Sequence, residues 1–107
     1  MELERVLEDA ATCGIIIQEV LQGVQPSHYI SEVRRSLLSH FYLETPLAVY
    51  EKAADYARRC REKGISLTTV DAFIAAVSTH HKAFLWTADK DFMRAARIIP
   101  IRLYDSS

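Results

Sequence analysis

Cysteine, glycine and long apolar runs are scarce in this sequence, and each scarcity excludes a class of protein. The 107 residues include two cysteines, Cys13 and Cys60, which form no CxxC pair. They are expected to be reduced, packed thiols of an intracellular protein. With three glycines, the chain has no P-loop, G-x-G-x-x-G or G-x-S-x-G motif, which removes the common nucleotide-binding and serine-hydrolase signatures.

The chain also lacks a membrane signal and a strong net charge. No basic start precedes an apolar segment, and no apolar run reaches about 20 residues, so a soluble cytoplasmic protein without a membrane partner is expected. The formal net charge of -1 means that any polyanion must be held by a local patch or through bound cations. A chain that is 50% hydrophobic and 25% charged fits one globular domain over residues 1–107.

Helical spacing of apolar residues alternates with short β-branched runs along the chain. Helices are predicted at residues 2–10 and 16–21, from a cap at Ser27, after Thr45 and Pro46, and at residues 69–81 and 90–97. Strands are predicted at residues 12–15, 41–43, 83–87 and 98–104. The alternation favours an α/β layer fold with a short, largely parallel sheet flanked by helices.

The predicted helix after Pro46 has an apolar inner stripe and a basic end. The stripe consists of Tyr50, Ala53, Ala54 and Ala57. The last turns gather four cations, Arg58, Arg59, Arg61 and Lys63, before Gly64 as the expected C-terminal cap. A solvated helix end, where cations oppose the macrodipole, explains this cluster, and contact with RNA or an acidic partner is the alternative.

Asp71 is the only charged residue in the run from residue 65 to 79, which otherwise suits a protein interior. An ionised carboxylate in apolar surroundings costs several kcal/mol or more unless a hydrogen bond, an opposite charge or a metal compensates it. A hydrogen-bond donor, a positive charge or a metal ion is therefore expected beside the Asp71 carboxylate. The alternative is that this carboxylate bonds amides in the first turn of its helix.

Two further carboxylates follow apolar runs: Glu19 after Ile15–Ile17, and Asp89 just beyond the strand predicted at residues 83–87. Ligands of open α/β sheets collect outside the carboxyl ends of strands, so Glu19, Asp71 and Asp89 are expected to converge. Clustered carboxylates suit Mg²⁺ or Mn²⁺, which can orient a phosphodiester and activate water. The alternatives are a solvent-facing Glu19 and an Asp89 that caps the helix beginning at Lys90.

Other polar residues accompany these acids. Asp91 is either a further metal ligand or a first-turn charge that favours the helix dipole. Thr69 and Thr87 offer hydroxyls beside the acids, and ordinary cap or strand-end hydrogen bonds are their alternative role. His80 and His81 are adjacent, so they point in different directions on a helix and do not suggest a metal site.

The order of these motifs resembles a PIN domain, especially the small VapC-type toxins of prokaryotic toxin-antitoxin pairs. The resemblance rests on residues 18–23, 53–64, 69–76 and 85–92, and it covers nearly the entire chain. It implies a three-layer α/β fold and an endoribonuclease that uses Mg²⁺ or Mn²⁺ held by acids at strand ends. It also implies a homodimer and silencing by a cognate antitoxin whose tail enters the acidic groove.

The resemblance assigns a role to each candidate residue. Glu19, Asp71 and Asp89 match the second, third and fourth acidic positions of the family, with Asp91 as an auxiliary ligand. Four cations are weaker candidates for contact with RNA or antitoxin: Arg58, Arg59, Arg61 and Lys90.

The start of the chain departs from the family pattern. PIN domains of this kind begin with a hydrophobic strand that ends in an aspartate and lies centrally in the sheet, and nothing before Glu19 matches it. Asp9 lies at the end of a predicted helix and is not a substitute. Because unpaired inner sheet edges are seldom left open, the flanking strands are expected to pair directly, or another chain to fill the gap by exchange or dimer contact.

Two other interpretations remain. A catalytically impaired PIN-like remnant would bind antitoxin or RNA without cleaving it, which the missing first acid favours. A purely structural α/β module would have its three carboxyl groups far apart.

Overall fold

A computed structural model of the protein describes residues 11–39, 41–85, 87 and 89–104. The chain divides into two compact units, Met1–Glu44 and Thr45–Ser107. The helix predicted at residues 2–10, with Asp9, lies outside the described residues. The prediction of a single domain stays a prediction.

In its described residues, the first unit pairs two short strands in parallel and has two helices. Strand β1 (Ala11–Thr12) lies beside β2 (Phe41–Tyr42), with Thr12 opposite Tyr42. Helix α1 (Gly14–Gln22) follows β1, and a 3-10 turn (Ser27–Tyr29) leads into α2 (Ile30–Leu38). The parallel pairing agrees with the predicted sheet.

Several predicted details of the first unit are wrong. The strand expected at residues 12–15 ends at Thr12, because the Cys13 carbonyl accepts the amides of Ile16 and Ile17, both at 3.1 Å, and so starts α1. Ser27 does not cap α2, whose N-terminal flank is Tyr29 without a side-chain cap. The apolar residues that predict a buried face of α2 include Leu38, which is 47% exposed.

The second unit is built on two helices packed against each other. Helix α3 (Leu47–Glu62) contacts α4 (Thr69–His80) along much of its length. The buried residues of α3 are Val49, Ala53, Tyr56 and Cys60. Those of α4 are Ala72, Ala75, Ala76, Val77 and Ser78. Small side chains on the inner face of α4 allow the two helix backbones to approach closely.

The buried face of α3 differs from the predicted apolar stripe by about one residue. Val49 is fully buried, whereas Tyr50 is 53% exposed and its ring lies 4.9 Å from that of Phe73. Thr45 does not cap the helix, because Pro46 occupies the N-terminal flank and its carbonyl accepts the Val49 amide at 2.9 Å. Gly64 follows the helix with φ +80, as expected for a left-handed C-terminal residue.

The second unit also contains a parallel strand pair and a short helix. Strand β3 (Phe84–Leu85) pairs with β4 (Arg102–Leu103), and α5 (Lys90–Ala95) lies between them in sequence. Helix α5 and both strands are shorter than predicted. Ile99 and Ile101, on either side of Pro100, are buried. With helices between parallel strands, the α/β fold class is confirmed.

Both cysteines are free and buried, as the sequence predicts. Among the described helices, none is long and apolar enough to span a bilayer.

Candidate acidic site

Asp71 is the third residue of α4 and lies in a capped helix start. Thr68 is the N-cap, and its hydroxyl oxygen accepts a hydrogen bond from the Asp71 amide at 3.0 Å. The Asp71 side chain is partly buried, so the expected enclosure in apolar surroundings is only partial. Its negative charge is favoured at this end of the helix macrodipole. The carboxylate itself makes no hydrogen bond or ion pair with a described residue.

Thr68, and not the predicted Thr69, supplies the hydroxyl at this helix start. Thr69 is exposed as the first residue of α4, while the preceding threonine supplies the cap. The Thr-x-x-Asp spacing from residue 68 to 71 is the signal that could have identified it.

Asp89 is the N-cap of α5. Its Oδ1 accepts a hydrogen bond from the Asp91 amide at 2.8 Å, and its own amide donates to the Thr87 hydroxyl at 3.0 Å. The alternative roles, a helix cap for Asp89 and a turn hydrogen bond for Thr87, are therefore both present. Oδ2 of Asp89 has no hydrogen-bond partner among the described residues, which leaves it available to another ligand.

Asp91 lies in the first turn of α5 and is partly buried. Its carboxylate is 3.9 Å from the Arg94 guanidinium, an exposed pair one turn apart. Such a pair holds the carboxylate weakly. Asp91 is therefore a first-turn charge, and its weak ion pair with Arg94 is easily broken.

Glu19 is exposed on α1, in the first unit. Its carboxylate makes no hydrogen bond or ion pair with a described residue. Because Glu19 and the aspartates belong to different units, the convergence of the acids stays a prediction. Among the described residues of the second unit, no three His, Cys, Asp or Glu side chains form a group that could hold a metal ion.

The candidate cations divide into two pairs. Arg58 and Arg59 share Asp55, at 3.6 and 3.5 Å, and Arg59 also donates to the Ile98 carbonyl at 2.8 Å. These two guanidinium groups thus have structural partners at the end of α3. Arg61 and Lys90 are exposed and make no ion pair with any carboxylate that the structure describes.

By donor type alone, the acids of the second unit suit a hard divalent cation. Asp71, Asp89 and Asp91 offer carboxylate oxygens, the donors that Mg²⁺ and Mn²⁺ prefer.

Comparison with known families identifies the family that the motifs resemble. The sequence model of the PIN domain family matches residues 1–98. No curated protein matches the sequence at a significant level.

Proposed function

Because this chain belongs to the PIN domain family, whose members are generally nucleases, we propose that it is an endoribonuclease of VapC toxin type that hydrolyses RNA phosphodiester bonds. The observation that carries the proposal is the state of Asp71. Asp71 lies in the third acidic motif of the family, at a helix start where a negative charge is favourable. Its carboxylate makes no hydrogen bond or ion pair with a described residue.

Glu19, Asp71 and Asp89 are proposed to hold Mg²⁺ or Mn²⁺, with Asp91 as an auxiliary ligand. When bound, the metal ion supplies a Lewis acid that lowers the pKa of water and stabilises the leaving oxygen. The capping bond at Asp89 fixes one carboxylate oxygen and leaves Oδ2 for the ion. Thr68 and Thr87 orient the backbone that carries Asp71 and Asp89 through their hydroxyl bonds.

Regulation and location follow the toxin type in this proposal. A cognate antitoxin covers the acids, and the protein acts as a homodimer in the cytoplasm. Arg61 and Lys90 are the cations best suited to contact phosphate or antitoxin, since Arg58 and Arg59 already share Asp55.

The test is cleavage of a structured RNA by the purified chain with Mn²⁺, beside the Asp71→Asn variant and an EDTA control. Glu62→Gln is the matched control, because Glu62 is exposed at the end of α3 and has no ion pair with a described residue. We expect cleavage by the wild type and Glu62→Gln, and loss of at least two orders of magnitude in Asp71→Asn.

Two outcomes would change the assignment. Equal cleavage by the wild type and Asp71→Asn would reject the proposed mechanism. Absence of cleavage by all variants, together with retained RNA binding, would support the impaired remnant that binds without cutting.

A further inference from the structure

The second unit contains a basic cavity of about 320 Å³ near the end of α4. Three cations line it, Lys52, Lys82 and Arg102, together with the hydroxyl-bearing Tyr56 and Thr79. None of the described lining residues is acidic. An anion that enters therefore meets three positive charges and no opposing carboxylate from that lining.

The cavity is separate from the candidate acids of the same unit. Asp71 lies in the first turn of α4 and Thr79 in the last, and eight residues of helix rise about 12 Å. Likewise, Lys82 precedes β3 whereas Asp89 follows it. The basic cavity and the aspartates thus lie at opposite ends of the same helix and strand.

Arg102 is held in place at the cavity by two contacts. Its guanidinium donates to the Lys82 carbonyl at 2.7 Å and lies 4.7 Å from the centre of the Phe84 ring, its neighbour across the β3–β4 pair. A guanidinium has five N–H donors, and these contacts use one of them. The remaining donors have no partner among the described residues, and Arg binds the oxygens of a phosphate in a fork geometry.

The two lysines have no charged partner among the described residues. Neither the Lys52 nor the Lys82 ammonium forms an ion pair with a carboxylate that the structure describes. Tyr56 and Thr79 bond to each other at 2.9 Å, and the Thr79 hydroxyl also lies 3.1 Å from the Ala76 carbonyl. Their hydroxyl hydrogens are therefore used internally, and the charge that the cavity offers is that of the three cations.

Lys82 also occupies a backbone position that disfavours a lysine. Its φ is +56, and the amides of Lys82 and Ala83 donate to the carbonyls of Thr79 and Ser78, which makes it the left-handed residue of a Schellman ending. The equivalent residue after α3 is Gly64. Glycine would relieve the strain at residue 82, so a lysine at this position carries a local backbone cost.

We propose that the cavity lined by Lys52, Lys82 and Arg102 binds a phosphate group of an RNA backbone at a distance from the site of cleavage. The identity of the ligand as RNA rests on the proposed nuclease function. The anion site itself rests on the three cations and would stand without that function.

The test is binding of a fluorescein-labelled single-stranded RNA in EDTA, measured by fluorescence anisotropy over a range of salt concentrations. Lys82→Gly removes the charge and suits the left-handed backbone, while Lys52→Gln removes the second ammonium. Arg97→Gln is the matched control, because Arg97 is exposed and does not line the cavity.

One phosphate neutralised on a single strand contributes about 0.7 to the slope of log affinity against log salt. Because the cavity takes one phosphate, we expect that slope to fall by up to about 0.7 in Lys82→Gly and in Lys52→Gln, with no change in Arg97→Gln. Unchanged slopes in both cavity variants would overturn the proposal. An equal fall in Arg97→Gln would also overturn it, because the effect would then be one of general charge.

Inorganic phosphate provides an independent arm that does not depend on RNA. In ¹⁵N-edited NMR spectra, phosphate should shift the amide signals of Lys82 and Ala83 in the wild type and shift them less in Lys52→Gln. Shifts confined to other parts of the chain would contradict a site here. If phosphate shifts these signals while no RNA is cleaved, the nuclease proposal fails and the anion site stands. If RNA is cleaved and the salt slopes of both cavity variants are unchanged, the anion site fails and the nuclease proposal stands.

Discussion

The hydroxyl oxygens of Tyr56 and Thr79 lie 2.9 Å apart and join α3 to α4 by a hydrogen bond. Because the Thr79 hydroxyl can donate to the Ala76 carbonyl at 3.1 Å, the Tyr56 hydroxyl is the donor between the helices. Tyr56 is 3% exposed, so its ring is part of the core as well.

Replacing this donor should destabilise the second unit by a modest amount. Tyr56→Phe is expected to lower the free energy of unfolding by about 1 kcal/mol, since one partly buried hydrogen bond is lost and Thr79 keeps its carbonyl partner. Urea denaturation measures the change. Tyr50→Phe is the control at an exposed position of the same helix and should differ little from the wild type; equal effects in both variants would show that the interhelical bond contributes nothing.

Thr68→Ala removes the N-cap of α4. The expected loss is about 0.5–2 kcal/mol in the free energy of unfolding, because the Asp71 amide loses its acceptor. Thr69→Ala, one residue later and exposed, should be close to neutral. A thermal denaturation in which Thr69→Ala melts below Thr68→Ala would contradict the capping role of Thr68.

Substitutions at Asp89 can separate its capping role from a role in catalysis. Asparagine caps helices about as well as aspartate, so Asp89→Asn should keep the thermal stability of the wild type, whereas Asp89→Ala should lose about 1 kcal/mol. Both variants should lose Mn²⁺-dependent RNA cleavage if the carboxylate charge is required. Full cleavage by Asp89→Asn would restrict this residue to capping.

Lys82→Gly should make the protein more stable. Release of the left-handed strain is expected to gain about 1 kcal/mol, reduced by a few tenths for the lost cation at a helix C-terminus. Lys63→Gly, where φ is -102, has no such strain to release and should be neutral or destabilising. Differential scanning calorimetry would contradict this account if Lys82→Gly melted below the wild type.

Burial raises the pKa of the Cys60 thiol from its ordinary value of 9.0, and the charge of Arg59 lowers it by less. The folded protein therefore holds this proton more tightly than the unfolded chain. The resulting stability is complete below the ordinary thiol pKa and is lost as pH rises through the higher pKa of the folded state. Between about pH 8 and pH 10, unfolding free energy should fall less steeply in Cys60→Ala than in the wild type, and parallel curves would refute the assignment.

Sequence patterns predicted the types of most elements and misplaced several details. Apolar spacing identified α3, but it assigned Tyr50 instead of Val49 to the buried face, because both residues are hydrophobic and only tertiary packing decides between adjacent positions. Gly64 was identifiable as a helix end by its residue type. Lys82 has the same backbone role and carries no such signal, so neither its strain nor its cavity could be predicted.

The candidate site is named in the sequence as a set of residues, and the structure adds the local environment of each aspartate. Asp71 stands out in the sequence by its isolation, yet it lies only partly buried at a helix start, where local caps and the macrodipole tolerate charge. Asp89 has the sequence context of a ligand and the geometry of a cap, and the cap uses Oδ1 while Oδ2 has no partner among the described residues. Whether Glu19 joins them depends on long-range placement, which spacing in the sequence cannot specify.

Helix α4 gives the proposed two-site arrangement a fixed length. Its alanine face is packed on α3, so the span of about 12 Å from Asp71 to Thr79 cannot easily stretch or shorten. An RNA strand bound through one phosphate near the last turn would thus reach Asp71 at a fixed distance from that phosphate. Its products would share a constant number of nucleotides between the anchored phosphate and the cut.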